Sequence, residues 1–193
     1  YNAASMNKIK QVIEAIEAKQ QEYIVIAIDG RCASGKTTLA NKLAQHFHAN
    51  VFHMDDYFLR KEQRTKERLS EIGGNVDRER FIEEVASKLH SNADIVFAPF
   101  DCKTKALKEK RTVKQTHVTI IEGSYAMHPL LRKYYDYMIY LTIDPQTQQN
   151  RIYERNPEKY DDFVNRWIPL EERYFTAYCF EKICNICIKA EEW

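Results

Sequence analysis

The chain has 193 residues, which fits one domain with a full-sized core, since domains usually hold roughly 100–200 residues. Lys and Arg number 29 against 28 Asp and Glu, a balance with no broad positive field to draw in nucleic acid or an anionic membrane surface, so neither is expected as a partner. The longest apolar runs, Tyr23 to Ile28 and Tyr137 to Ile143, fall far short of the ~20 residues of a membrane span, and no secretory leader is evident, so a soluble, cytoplasmic protein is expected.

Residues 1–5 precede a candidate initiator, Met6, and are set aside as a cloning remnant, leaving 6–193 as a single domain. Ile9, Val12, Ile13 and Ile16 recur at helical spacing. The run Tyr23-Ile-Val-Ile-Ala-Ile28 has the near-continuous β-branched character of a strand buried on both faces, and it ends at Asp29-Gly30. A helix is predicted from Lys36 through Leu39 and Leu43 to Phe47, then a short strand over Val51 to Met54 and a long loop from Asp55 to Asp77. Phe81, Ile82, Val85, Ala86 and Leu89 mark another helix. Ile95 to Ala98, His117 to Ile121 and Tyr137 to Ile143 read as strands, Gln146 to Arg155 as a helix and Pro157 to Asp162 as a break. Pro169 suits the first position of a helix running to Phe180, and Ile183 to Ile188 reads as the last strand. Cys184 and Cys187 fall in that strand without a second C-x-x-C, so they read as core thiols rather than a zinc or redox pair. Alternating helices and strands predict an α/β fold with a parallel sheet flanked by helices.

Chemistry enters at Gly30-Arg31-Cys32-Ala33-Ser34-Gly35-Lys36-Thr37, a full G-x-x-x-x-G-K-[ST] between a predicted strand and a predicted helix. The glycines allow a tight loop whose N–H groups point inward, and the helix N-terminus adds partial positive charge, so the loop from Gly30 to Thr38 is expected to cradle a nucleotide's phosphates. Lys36 is expected to reach the β- and γ-phosphates, and the Thr37 hydroxyl to hold Mg²⁺. At the end of the second strand, Asp55 is placed to accept the proton of an attacking hydroxyl; a helix cap or solvated turn is the plainer reading of the Asp55-Asp56 pair. The strand ending at Glu122 delivers a carboxylate to the sheet edge, where it would hold Mg²⁺ directly or through water. Arg151 and Arg155 share one predicted helical face and Arg166 follows. Together they suggest a helical lid over about 151–168 that stabilises a moving phosphoryl group, with a solvated basic face as the alternative. No N-K-x-D motif follows to read guanine as a signalling GTPase would.

These residues resemble the uridine kinase and phosphoribulokinase group, and more closely the uridine-kinase-like proteins of Gram-positive bacteria. The matching pieces are Asp29 to Thr38, Met54 to Phe58, Gly74 to Asp77, Ala98 to Asp101, Ile121 to Tyr125, Arg151 to Arg155 and Trp167 to Glu172. The resemblance implies a three-layer P-loop NTPase fold with a nucleoside-monophosphate-kinase-like core and a small helical lid, ATP or GTP as donor, Mg²⁺, and Asp55 as the catalytic carboxylate. It implies that Asp77 binds ribose hydroxyls and Phe100 lines a base pocket; Tyr57 and Arg166 are placed with them among the acceptor contacts. Uridine kinases carry a histidine soon after the aromatic-Asp pair, whereas this chain runs Cys102-Lys-Thr-Lys105 with none before His117. The basic run Lys103, Lys105, Lys108, Lys110 and Arg111 suits an acid or phosphate on the acceptor, or simply a solvated loop. The expected activity is ATP-dependent phosphorylation of a hydroxyl on a small molecule, a nucleoside such as uridine. The alternatives are a non-nucleoside acceptor (a vitamin or sugar phosphate) and a nucleotide-binding regulator without turnover. The oligomeric state stays open, a homo-oligomer included.

Overall fold

The computed structural model describes residues 2–190. Helix α1 (Ala3–Glu17) starts at Asn2, whose side chain accepts from the Ser5 N–H at 2.9 Å, and it buries Ile9, Val12 and Ile16. Residues 2–5 form the cap and first turn of this helix, and Ser5 is itself buried. Strand β1 (Ile24–Gly30) is buried at every position, as the middle strand of a parallel sheet must be. Helix α2 (Lys36–Phe47) and strand β2 (Asn50–His53) fall close to their predicted positions. The predicted loop after β2 is more ordered than its polar composition suggests. It holds 3₁₀ turns at Met54–Tyr57 and Lys61–Gln63 and a short helix α3 (Lys66–Ser70), capped by the Thr65 hydroxyl on the Arg68 N–H at 3.1 Å.

Helix α4 (Arg78–Glu84) stops at Val85, short of the predicted Leu89, and a 3₁₀ turn, Ala86–Lys88, completes the apolar face. Strands β3 (Ile95–Phe97), β4 (Phe100–Asp101), β5 (Ala106–Leu107) and β6 (Arg111–Val113) form two small antiparallel ribbons, β3 with β6 and β4 with β5, outside the main sheet. Strands β7 (Val118–Glu122) and β8 (Tyr137–Thr142) are followed by helix α5 (Pro145–Arg155), whose Asp144 side chain accepts from the Thr147 N–H. The predicted break is a 3₁₀ turn, Pro157–Lys159, leading into α6 (Tyr160–Asp162), a π-helical stretch (Phe163–Trp167) and α7 (Ile168–Tyr178). A left-handed residue, Cys179, ends α7 before α8 (Phe180–Ile183) and β9 (Ile186–Lys189).

The main sheet is wholly parallel in the order β2-β7-β1-β8-β9. Side chains alternate across β1: Ile24, Ile26 and Ile28 pack with Ile9, Val12, Ile16, Leu39 and Leu43, while Val25 and Ala27 pack with Phe52, Tyr140, Tyr174 and Phe180. Two cores on opposite faces make three layers, the P-loop NTPase arrangement. Cys184 and Cys187 pack against the second core. Among the described residues no helix is long and apolar enough to cross a membrane.

Candidate active site

Three adjacent strands, β2, β7 and β1, end at one edge of the sheet, and their register sets His53 opposite Glu122 and Glu122 opposite Ile28. Beyond β1, Gly30 lies so close to β8 that a Cβ there would sit 2.1 Å from the Leu141 carbonyl oxygen, which only glycine avoids. The chain then turns through Ala33 and Gly35, both at positive φ, into the N-terminus of α2. Lys36 Nζ donates to the carbonyls of Gly30 and Arg31, at 2.8 and 3.0 Å, and so spans the loop mouth. The Thr37 hydroxyl donates to Glu122 Oε1 at 3.3 Å. A hydroxyl and a carboxylate side by side beneath a phosphate cradle are hard oxygen donors that fit Mg²⁺.

Glu122 is almost wholly buried and also accepts from His53 Nδ1; that hydrogen bond is the main reason the imidazole pKa is raised. Asp55 is exposed to the cleft at its tip. The protein packed around its base pushes its pKa up by desolvation, and Glu122 adds to this, while Lys36 and His53 pull the other way. A carboxyl raised toward neutrality and open to a cleft can take a proton in transit. Cys32, within the loop, has a thiol pushed up to about 11, chiefly by burial, so it is a poor nucleophile.

A cleft of about 630 Å³ opens over this edge. Cys32, Ala33, Gly35, Lys36, Thr37 and Thr38 line it, as do Asp55, Phe100, Glu122, Arg155 and Arg166. Other expected site residues lie elsewhere. Tyr57 is fully buried, donates its hydroxyl to Glu84 at 2.8 Å and packs its ring under Arg80, so it belongs to the core and Phe58 lines the cleft instead. Asp77 caps α4 on the Arg80 N–H and accepts from Gln63 Nε2 at 3.0 Å; it faces a neighbouring hollow, not the cleft. Arg151 donates to the carbonyls of Ala33 and Ala190, at 3.1 Å each, behind the loop. The Arg31 guanidinium is bound by Glu172 at 2.7 Å and by the Thr142 hydroxyl, so only its backbone belongs to the loop. The Ser34 hydroxyl is buried within the loop.

Sequence reasoning missed the straps from α5 and α7. Asp29 accepts from the Gly30 N–H at 2.7 Å, the Met127 N–H at 3.0 Å and the Tyr174 hydroxyl at 2.7 Å. Glu171, buried, accepts from the Cys32 N–H at 2.9 Å and the Ser124 hydroxyl at 2.8 Å, and burial raises its pKa. Gln148 Nε2 donates to the Cys32 carbonyl at 2.9 Å. The one sequence signal for Glu171 was its place in the Trp167–Glu172 stretch; two acids after a helix-starting proline otherwise read as dipole complements.

Residues 26–188 match the deoxynucleoside kinase family. A curated relative, uridine kinase-like protein 4 of Arabidopsis thaliana, is 25% identical over 163 residues, 80% of this chain. The chain spans only 34% of that relative's length. Among solved structures, one described as a possible uridine kinase from Bacillus stearothermophilus matches with a TM-score of 0.74 at 26% identity, over 95% of this chain and 98% of that one. The D-glycerate 3-kinase of Cryptococcus neoformans matches at 0.59 and 17% identity, over 89% and 88% of the two chains, and so shares the fold.

Proposed function

Because this chain belongs to the deoxynucleoside kinase family and is a P-loop kinase of the uridine-kinase-like type, we propose that it transfers the γ-phosphoryl group of ATP to a hydroxyl of a small molecule, with a nucleoside such as uridine as the first acceptor to test. The observation that carries this reading is the convergence of Lys36, Thr37, Glu122 and Asp55 on one cleft. The N–H groups from Ala33 to Thr38 and the Lys36 ammonium hold the donor's phosphates, the ammonium leaving the Gly30 and Arg31 carbonyls to do so. Thr37 and Glu122 would hold Mg²⁺, which would supply positive charge against the donor's phosphates. Asp55 positions the acceptor hydroxyl and takes its proton, and Phe58 and Phe100 offer apolar surface for the acceptor's body. Arg155, on the lid side, stabilises charge on the group in flight.

ADP release from Mg·ATP, measured against a panel of nucleosides, sugars and hydroxy acids, tests the reading. At least one hydroxyl compound should stimulate release, and Lys36→Ala should lower both nucleotide affinity and turnover. Tight ATP binding with no compound stimulating release would favour a regulator without turnover, and unchanged affinity and turnover in Lys36→Ala would remove the loop from the mechanism.

A further inference from the structure

A side pocket of about 140 Å³ opens off the cleft, and its walls include three arginines, Arg64, Arg166 and Arg173. It shares Arg64, Asn75, Tyr125, Arg166 and Trp167 with the cleft but no residue with the P-loop, so it lies on the side away from the donor's phosphates. Its other walls come from residues 69–75, in the segment that follows Asp55, and from Leu170 on α7. Ligand sites for whole small molecules run to roughly 300–1,000 Å³, so this pocket admits one substituent while the remainder of a molecule lies in the cleft.

Charge decides which substituent. None of the three guanidinium groups forms an ion pair among the described residues, and Arg166 is set over the Trp167 ring at 4.6 Å. The one carboxylate in the pocket wall, Glu71, is bound by Arg78 at 2.8 Å and lies 4.0 Å from Arg68, so its charge is already committed. Guanidinium forks match carboxylate and phosphate oxygens. The cleft adds to the excess of positive charge, with Lys61 and Lys105 also in its wall. Resting on the kinase reading above, we infer that the side pocket binds an anionic group of the acceptor, a phosphate or a carboxylate, and that the preferred acceptor is an acidic hydroxyl compound rather than a neutral nucleoside.

The test compares matched acceptors in the ADP-release assay: ribose with ribose 5-phosphate, glycerol with glycerate, and uridine as the neutral reference. The charged member of a pair should be favoured at least about tenfold in kcat/KM, and the pair that responds tells phosphate from carboxylate. Arg64→Ala and Arg173→Ala should raise KM for that member roughly ten- to a hundredfold, as loss of a charge-assisted hydrogen bond does, with little change in kcat. The inference is overturned if neutral members, uridine included, equal or exceed charged ones, or if both variants leave KM within about twofold. If no pair is turned over, titration calorimetry of inorganic phosphate and acetate into protein loaded with Mg²⁺ and a non-hydrolysable ATP analogue decides. Saturable binding at low millimolar concentration that is lost in the double variant upholds it, and absent or unchanged binding overturns it. Failure of the analogue itself to bind would instead defeat the kinase reading.

Discussion

Asp55 and Asp56 are chain neighbours in different surroundings. Asp55 lines the cleft near Lys36 and Glu122, whereas Asp56 is half-buried outside it, with its backbone carbonyl held by Arg80 Nη2 at 2.9 Å. Asp55→Asn keeps the shape of the side chain and removes the proton acceptor, so turnover should fall at least about a hundredfold while ATP affinity persists. Asp56→Asn should cost less, and the reverse ranking would shift the site by one residue. The same substitution carries a stability sign. Burial raises the folded pKa of Asp55, so its contribution is most favourable below the ordinary aspartate pKa and is lost as pH rises through the raised one. Asp55 is exposed to the cleft, so solvent screens most of the burden of its charge at neutral pH. Asp55→Asn should therefore raise Tm at pH 7 only slightly, with the gain shrinking on acidification; a lower Tm at neutral pH would refute this. Tyr57 supplies the converse case. Tyr57→Phe leaves Glu84 with only its Arg80 and Ala98 donors, both at 3.3 Å, and should cost about 1 kcal/mol in urea unfolding with kcat nearly unchanged. A large loss of kcat would return Tyr57 to the acceptor. Adjacent residues of a 3₁₀ turn point about a third of a turn apart, so the sequence could not tell which member of Met54–Tyr57 faces the cleft.

On α5, Arg151 and Arg155 stand four apart, yet they serve different partners. Arg151 ties the P-loop to the carbonyl of Ala190, and Arg155 lines the cleft. Arg155→Ala should lower kcat about tenfold or more with little change in acceptor KM, because its contact tightens on the moving charge. Arg151→Ala should instead raise KM for ATP and lower Tm. Equal effects on all three quantities would mean that both act through the same contact. Helical periodicity put both arginines on one face, but it does not say which neighbour each meets. The strands β4, β5 and β6 escaped notice for a simpler reason: two or three residues are too few to show an alternation. Thr65 could have signalled α3 as a cap, but the polar stretch around it hid a helix of only five residues.

For the molecule as a whole, the three inner strands, β7, β1 and β8, were legible because burial on both faces demands apolar runs, and the P-loop was legible because its spacing is set by phosphate geometry. Strand order was not, since β7 enters between β2 and β1 through contacts that no local pattern encodes. Nor was the strap from α7, which depends on residues some 140 positions apart meeting at one loop. That strap makes the protein its own competing ligand. The Glu171 carboxylate accepts from the Cys32 amide at the head of the phosphate loop, and an anion brought into the loop beside it meets like-charge repulsion. Nucleotide loading must then expel this resident anion or neutralise it, and burial has already brought it part of the way to neutrality. The exchange should draw a proton from solvent. Calorimetric titrations with ADP in two buffers of different ionisation enthalpy should give different apparent heats, and affinity should strengthen as pH falls toward mild acidity. In Glu171→Gln the buffer dependence should vanish, and wild-type heats that agree in both buffers would show that the carboxylate swings clear still charged.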